Sequence, residues 1–217
     1  MSDATILVAD DHPLFRDALK IAVIRASPSA TVLEAGSVAE AADQVRGADR
    51  LDLILLDLRM PDAEGFSGLA LLHAERPGTP IIVISALDAA DAAVRARRYG
   101  AAGFLSKTAD LNTIQAVVSE ALSGRSALTA LGAQTEEEAE IDDMAARIAT
   151  LTPAQIKVLL GVLAGRLNKQ IAHDLNISEA TVKAHMTAVF RKLGVQNRTQ
   201  AVIAARALGL DTAQMDV

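Results

Sequence analysis

The first 125 residues alternate two kinds of segment, and this rhythm constrains the fold more than any other feature of the chain. Five short apolar runs recur: TILVA (5–9), TVLEA (31–35), LDLILL (51–56), IIVIS (81–85) and AGFL (102–105). They are rich in β-branched residues and too short for helices, so they read as buried strands. The segments between them carry helical spacing. Leu14, Ala18, Ile21 and Ala22 fall on one face of the first, and Val38, Ala41, Ala42 and Val45 on one face of the second. Leu69, Leu72 and His73 follow in the third, and Ile114, Val117, Val118, Ala121 and Leu122 make the fifth amphipathic. The order βαβαβαβαβα predicts an α/β doubly wound, five-stranded parallel sheet with helices on both faces. Such sheets bind ligands outside the carboxyl ends of their strands.

Carboxylates stand at those ends. Asp10 and Asp11 follow the first strand in ILVADDHPLF, and Asp57 follows the third in LDLILLDLRMPD. Three carboxylates meeting at one edge repel, and burying them is costly. An oxygen-preferring divalent cation removes that cost, and Mg²⁺ suits a site with few carboxylates and several waters. Ser85 ends the fourth strand with a hydroxyl, and Lys107 follows the fifth in GFLSK with an amine. Acid pair, acid, hydroxyl and amine, each from a strand end, fit phosphoryl transfer. Metal and lysine neutralise phosphoryl oxygens, the hydroxyl hydrogen-bonds one, and a carboxylate attacks. Neighbouring residues at a strand end point differently, so Asp10 and Asp11 are not expected to play identical roles. His12, His73 and His173 show no metal-ligand spacing.

The net charge of −6 conceals an asymmetry. Residues 150–217 carry eight Lys/Arg against four Asp/Glu, whereas residues 1–149 carry 13 against 23. An acidic first part and a basic last part imply two domains with different partners, the basic one suited to nucleic acid. The chain has no cysteine, which excludes disulfides, thiolate chemistry and Cys-ligated metal. No apolar run approaches the ~18 residues of a membrane span, and the start has no basic n-region. A cytoplasmic protein with no membrane partner is the expectation.

The reading divides the chain into 1–125, a linker over 126–149, and 150–217. Ala133–Arg147 holds six acids and one arginine, which reads as a solvated acidic linker, helical from Glu136 to Ile148. Beyond Leu151 all segments read as helical. Thr152 is the N-cap and Pro153 the first residue of one helix that Gly165 ends. Asn168 caps a short second helix, Ser178 a third that stops at Gly194, and a fourth runs from Asn197 or Arg198 to Gly209. The second and third are joined by a short turn around Asn176–Ser178, which is helix-turn-helix form. Ile171, Ala172, Leu175, Ile177, Val182, Met186, Val189 and Leu193 supply its core, so Lys183, Ala184, Thr187 and Arg191 face away, toward a groove they can enter.

Two resemblances rest on these stretches. ILVADDHPLF, LILLDLRMP, VISA and GAAGFLSK resemble the receiver domain of two-component response regulators over residues 4–125. That resemblance implies that Asp57 is the phospho-acceptor. It further implies that Asp10, Asp11, Asp57 and the Arg59 carbonyl hold Mg²⁺, that Ser85 and Lys107 grip the phosphoryl group, and that Phe104 is the switch aromatic. NKQIA, SEATVKAH, KLGV and RTQA, within residues 151–207, resemble the LuxR-type helix-turn-helix DNA-binding domain. This implies base-facing positions at Lys183, Ala184 and Thr187. It also implies phosphate contacts from Asn168, Lys169, Thr181, Arg191 and Thr199, and a dimerisation helix bearing Val202, Ile203 and Ala205.

Together the two resemble a NarL/FixJ-type regulator of transcription, partnered by double-stranded DNA and a sensor histidine kinase and homodimeric when phosphorylated. Without phosphate, the receiver would cover the recognition helix or the dimer surface. There are departures. Ala154-Gln155 stands where the family usually has Arg-Glu, which removes a local salt bridge, and Thr187 replaces a longer polar or basic residue. Two other classes remain in view. A Mg²⁺-dependent phosphohydrolase would usually carry Asp-x-Asp at one strand end, which is absent. A regulator that has lost DNA binding would fail a low-salt gel shift.

Overall fold

The computed structural model describes residues 3–86, 89–124, 136–207 and 210–211. The five expected strands form: β1 (Thr5–Ala9), β2 (Thr31–Ala35), β3 (Leu53–Asp57), β5 (Ile81–Ser85) and β6 (Gly103–Ser106). All pair in parallel, in the order β2-β1-β3-β5-β6. β3 and β5 are buried along their whole length, which explains their unbroken apolar runs. Alternate residues sort to the two faces. Ile6, Val8, Leu53, Leu55, Ile82 and Ile84 meet α1 (Pro13–Ala26) and α5 (Leu111–Leu122). Leu7, Ala9, Ile54, Leu56 and Val83 meet α2 (Val38–Gly47) and α3 (Ser67–Glu75), with α4 (Ala89–Arg98) beside them.

Helix α2 buries Val38, Ala41, Ala42 and Val45, and α5 buries Ile114, Val118 and Ala121, as the periodicity predicts. The expected face of α1 is wrong. Leu19, Ala22 and Val23 are buried, while Leu14 is 87 % and Ile21 49 % exposed. Apolar residues encircle this helix, so two stripes compete in the sequence, and only docking on the sheet selects one.

The second half comprises α6 (Glu136–Ala149), α7 (Pro153–Leu163), α8 (Asn168–Asp174), α9 (Glu179–Leu193) and α10 (Arg198–Ala207). Thr152 and Gln155 close a capping box on α7. The N-cap of α8 is Leu167 rather than Asn168, and its N–H donates to Gln170 Oε1 at 2.7 Å. Asn176, at φ 52, makes the left-handed turn between α8 and α9, a conformation Asn tolerates. The expected end of α10 at Gly209 and the linker over 126–135 lie outside the described residues.

The helix expected over Glu136–Ile148 forms as α6, but it is not solvated on all sides. Ala145 and Ile148 of α6 are fully buried, and Met144 packs against the same core. That core is continuous across both halves of the chain: Met60, Phe66 and Leu71 share one apolar cluster with Ile156, Leu159, Val189, Ala205 and Leu210. Asp143 is exposed while Ala145 and Ile148 are buried, so α6 has a solvent side and a core side, and acidic composition signals only the first.

Two further contacts join the halves. The Glu75 carboxylate of α3 takes Arg46 Nη1 at 2.8 Å and Lys157 Nζ of α7 at 3.4 Å. A two-residue strand, β4 (Glu64–Gly65), pairs antiparallel with β7 (Leu210–Asp211). A cleft of about 1200 Å³ remains between them, lined by Val38, Asp62, Leu71, Lys157, Gly161 and Arg206 among others.

Candidate functional site

β1 has β2 on one side and β3 on the other, so the strand order reverses beside it. Asp10 and Asp57 leave the sheet at this switch point, where doubly wound sheets form their crevices. Both are buried. Asp57 Oδ1 accepts the Arg59 N–H at 3.1 Å, and Asp10 Oδ1 accepts the His12 N–H at 2.8 Å. Lys107 reaches over from the end of β6. Its Nζ lies 2.7 Å from Asp57 Oδ2 and 2.8 Å from Asp10 Oδ2. The Lys107 N–H donates to the Ser85 carbonyl at 2.9 Å, which fixes the lysine to the neighbouring strand end. Ser85 is fully buried, and Phe104 is half-buried on β6, paired with Val83.

One ammonium therefore serves two buried carboxylates, with a third close by. Asp10, Asp11, His12 and Asp57 each present a ligand atom within 4.8 Å of the others. Asp10 Oδ2 and Asp11 Oδ1 are buried but accept no hydrogen bond of normal geometry; Lys107 Nζ lies 2.8 Å from the first and His12 Nδ1 2.6 Å from the second. Burial pushes the Asp57 carboxyl upward, and the Asp10 charge adds to this. The Lys107 and Arg59 hydrogen bonds offset it only in part. Burial works against the Lys107 ammonium, yet the neighbouring Asp10 and Asp57 carboxylates outweigh it, and its pKa is raised. The cluster is short of positive charge, and its three carboxylates fit a hard divalent cation.

A pocket of about 560 Å³, lined by His12, Leu14, Phe15, Asp57, Arg59 and Lys107, opens onto the Asp57 carboxylate. Two participants escaped the sequence reading. His12 joins the acid cluster through Asp11, a contact that its isolation from other histidines in the sequence concealed. Arg16 holds the strand end: its Nη1 donates to the Asp10 carbonyl at 2.7 Å and its Nε to Glu34 Oε2 at 3.1 Å.

In the helical half, Lys183, Ala184 and Thr187 are exposed on α9, with Val182, Met186 and Val189 buried beneath them. The Thr187 hydroxyl donates back to the Lys183 carbonyl at 3.0 Å. Lys169, Arg191 and Thr199 are exposed, and Asn168 and Thr181 partly so. On α10, Ile203 is 63 % exposed and Val202 partly buried, whereas Ala205 is fully buried within this chain. The receiver thus leaves both the outer face of α9 and Ile203 uncovered. It docks on α6 and α7 instead, so neither expected form of masking holds in this arrangement. Gln155 takes over from the missing ion pair, because its Oε1 accepts both the Thr152 N–H at 3.1 Å and Lys192 Nζ at 2.9 Å.

An acid-lysine site at the switch point of a parallel sheet, joined to a helix-turn-helix, defines a signal-receiving protein that acts on DNA. The family model for the response regulator receiver domain matches residues 6–119, and that for bacterial regulatory proteins of the luxR family matches residues 149–205. The glycerol metabolism activator of Pseudomonas putida is 37 % identical over 92 % of this chain and 94 % of its own. The nitrate/nitrite response regulator protein NarL of Escherichia coli is 30 % identical over 92 % of this chain and 94 % of its own. Full-length FixJ from B. japonicum superposes with a TM-score of 0.50 at 26 % identity, over 96 % of this chain and 98 % of that one. The chain belongs to the two-component response regulators that join a receiver to a LuxR-type DNA-binding domain and regulate transcription. Among the described residues no single helix is long and apolar enough to cross a membrane.

Proposed function

We infer that Asp57 accepts the phosphoryl group of a sensor histidine kinase. The observation that carries this is the position of Lys107 Nζ, 2.7 Å from one oxygen of a buried carboxylate at the floor of an open pocket. Asp57 would attack phosphorus as the bond to the kinase imidazole breaks, and the imidazole keeps that electron pair and takes up a proton. Lys107 neutralises a phosphoryl oxygen, and Ser85 is assigned the hydrogen bond to another. Asp10, Asp11, Asp57 and the Arg59 carbonyl would hold Mg²⁺, whose charge offsets that of the transferring group. Phe104 is assigned the aromatic that responds to the displaced hydroxyl. The test is labelling by acetyl phosphate: wild type takes up one phosphoryl group in Mg²⁺ and none in excess chelator, and Asp57→Asn takes up none. Equal labelling of the variant would overturn the assignment.

The same reading makes the protein an operator-binding homodimer of the cytoplasm. Lys183, Ala184 and Thr187 read bases, Asn168, Lys169, Thr181, Arg191 and Thr199 contact phosphates, and α10 pairs through Ile203 with Val202 behind it. The exposure of these α9 positions over a buried apolar face supports this. Residues 1–125, 126–149 and 150–217 remain the proposed units. Their separation is functional, since their cores merge.

A further inference from the structure

His12 stands inside the acid cluster, and helix capping does not explain it. By position it is the N-cap of α1, yet its side chain makes no cap bond, and histidine is not among the residues favoured there. Its backbone is held at three points. The His12 N–H donates to Asp10 Oδ1 at 2.8 Å, the His12 carbonyl accepts the Phe15 and Arg16 N–H groups at 3.1 and 3.0 Å, and Pro13 follows at the start of the helix. The ring is thereby delivered to the acids, with Nδ1 2.6 Å from Asp11 Oδ1 and 3.5 Å from Asp10 Oδ1. Despite that approach, Asp11 Oδ1 accepts no hydrogen bond of normal geometry, and neither does Oδ2 of the buried Asp10. One ligand atom from each of Asp10, Asp11, His12 and Asp57 falls within 4.8 Å of the others. The His12 side chain is 67 % exposed, in the wall of the pocket that opens onto Asp57, so the ring can turn onto an ion with little desolvation.

We propose that His12 is itself a ligand of the divalent ion, through Nδ1, and that it shifts the site from Mg²⁺ toward divalent ions that accept imidazole, such as Mn²⁺, Co²⁺ and Ni²⁺. This rests on the assignment of Asp10, Asp11 and Asp57 as ion-binding carboxylates, and it adds a nitrogen to their oxygens. Mg²⁺ prefers oxygen donors and keeps several waters, so it gains little from the ring. Imidazole suits the later first-row ions, whose affinity for a mixed nitrogen and oxygen site rises from Mn²⁺ to Ni²⁺. Adjacent ligands at roughly 2.0–2.2 Å from one ion stand roughly 3 Å apart, so His12 Nδ1 and Asp11 Oδ1 need part only slightly to share it. Neutral imidazole has one nitrogen free of hydrogen. The ring therefore binds uncharged, with its hydrogen on Nε2. Sequence spacing conceals this role, because the other ligands of the set are carboxylates and one of them, Asp57, comes from a different strand end.

The test compares full-length wild type, His12→Asn and His12→Ala in binding the metals alone. Electron spin-echo modulation of bound Mn²⁺ reads nitrogen ligation, and calorimetry reads the Mg²⁺ and Ni²⁺ affinities. Wild type is expected to show imidazole nitrogen coupling that both variants lack. Ni²⁺ affinity should fall by about tenfold or more in both, at least the loss typical of removing a residue that only supports a ligand, while Mg²⁺ affinity stays nearly unchanged. Asn keeps an amide able to hydrogen-bond Asp11, so it would restore the affinity if His12 only positioned that carboxylate. Bound Mn²⁺ without nitrogen coupling, coupling that survives in His12→Ala, Ni²⁺ affinity restored by Asn, or equal losses for Mg²⁺ and Ni²⁺ would each overturn the ligand. If wild type binds none of the three ions, the carboxylate site itself fails and the His12 ligand with it. If the ions bind and acetyl phosphate labels Asp57 but nitrogen coupling is absent, only the His12 role fails.

Discussion

Alanine at position 100 should be a costly single-methyl change in the receiver, and the structure separates its two causes. Gly100 follows Tyr99 at the end of α4 and holds φ +86. A Cβ there would lie 2.7 Å from His73 Cε1, 2.8 Å from Nδ1 and 2.9 Å from Nε2. The left-handed backbone alone costs about 1–2 kcal/mol for a non-glycine residue. The ring is half-buried on α3, and forcing it aside adds about 1–3 kcal/mol of overpacking. Gly100→Ala is therefore expected to lose about 2–5 kcal/mol. Gly124 is the control, because it holds φ +74 with nothing within 4 Å of the added methyl. Gly124→Ala should lose only the backbone part. Urea unfolding of the full chain measures both, and a double-mutant cycle with His73→Ala isolates the ring contact. Gly100→Ala should be partly rescued in the His73→Ala background by about 1–3 kcal/mol. Equal losses at 100 and 124, or no rescue, would refute the reasoning.

Burial lowers the His73 pKa, so the unfolded chain binds its proton first. Stability should fall as pH drops below about 6.5, and His73→Leu should flatten the urea midpoint between pH 7 and pH 5.5. Burial raises the Asp57 pKa, so its ionised form weakens the metal-free fold at neutral pH. Asp57→Asn should melt higher than wild type in chelator and respond less to Mg²⁺, as scanning fluorimetry would show. Gln155→Ala removes one half of the α7 capping box and the acceptor for Lys192, and should cost about 1 kcal/mol. Lys183→Ala should weaken binding to a preferred DNA site more than to random duplex. Lys169→Ala should weaken both alike and reduce the salt slope by about 1.

The strands and most helix faces follow from local order. Runs of β-branched residues too short for helices become β1, β2, β3, β5 and β6, and the stripe of Val38, Ala41, Ala42 and Val45 becomes the buried face of α2. The residues of the acid site are legible for the same reason, since a parallel sheet delivers every strand's carboxyl end to one edge. Asp10, Asp57, Ser85 and Lys107 could thus be grouped before any distance was known. The sequence leaves the rest undetermined where two choices are locally equal. α1 has apolar residues all round, and only contact with α5 and the sheet turns Leu19 inward and Leu14 outward. The acidic composition of α6 suggests solvent, yet its Ala145 and Ile148 enter the core. A two-residue ladder such as β4–β7 has no periodicity to detect, because its partners are far apart in the chain and each strand is too short to show alternation. Local pattern therefore determines what each segment becomes. Tertiary structure decides which face is buried, which ammonium serves which carboxylates, and which end of the chain is held against the Asp57 loop.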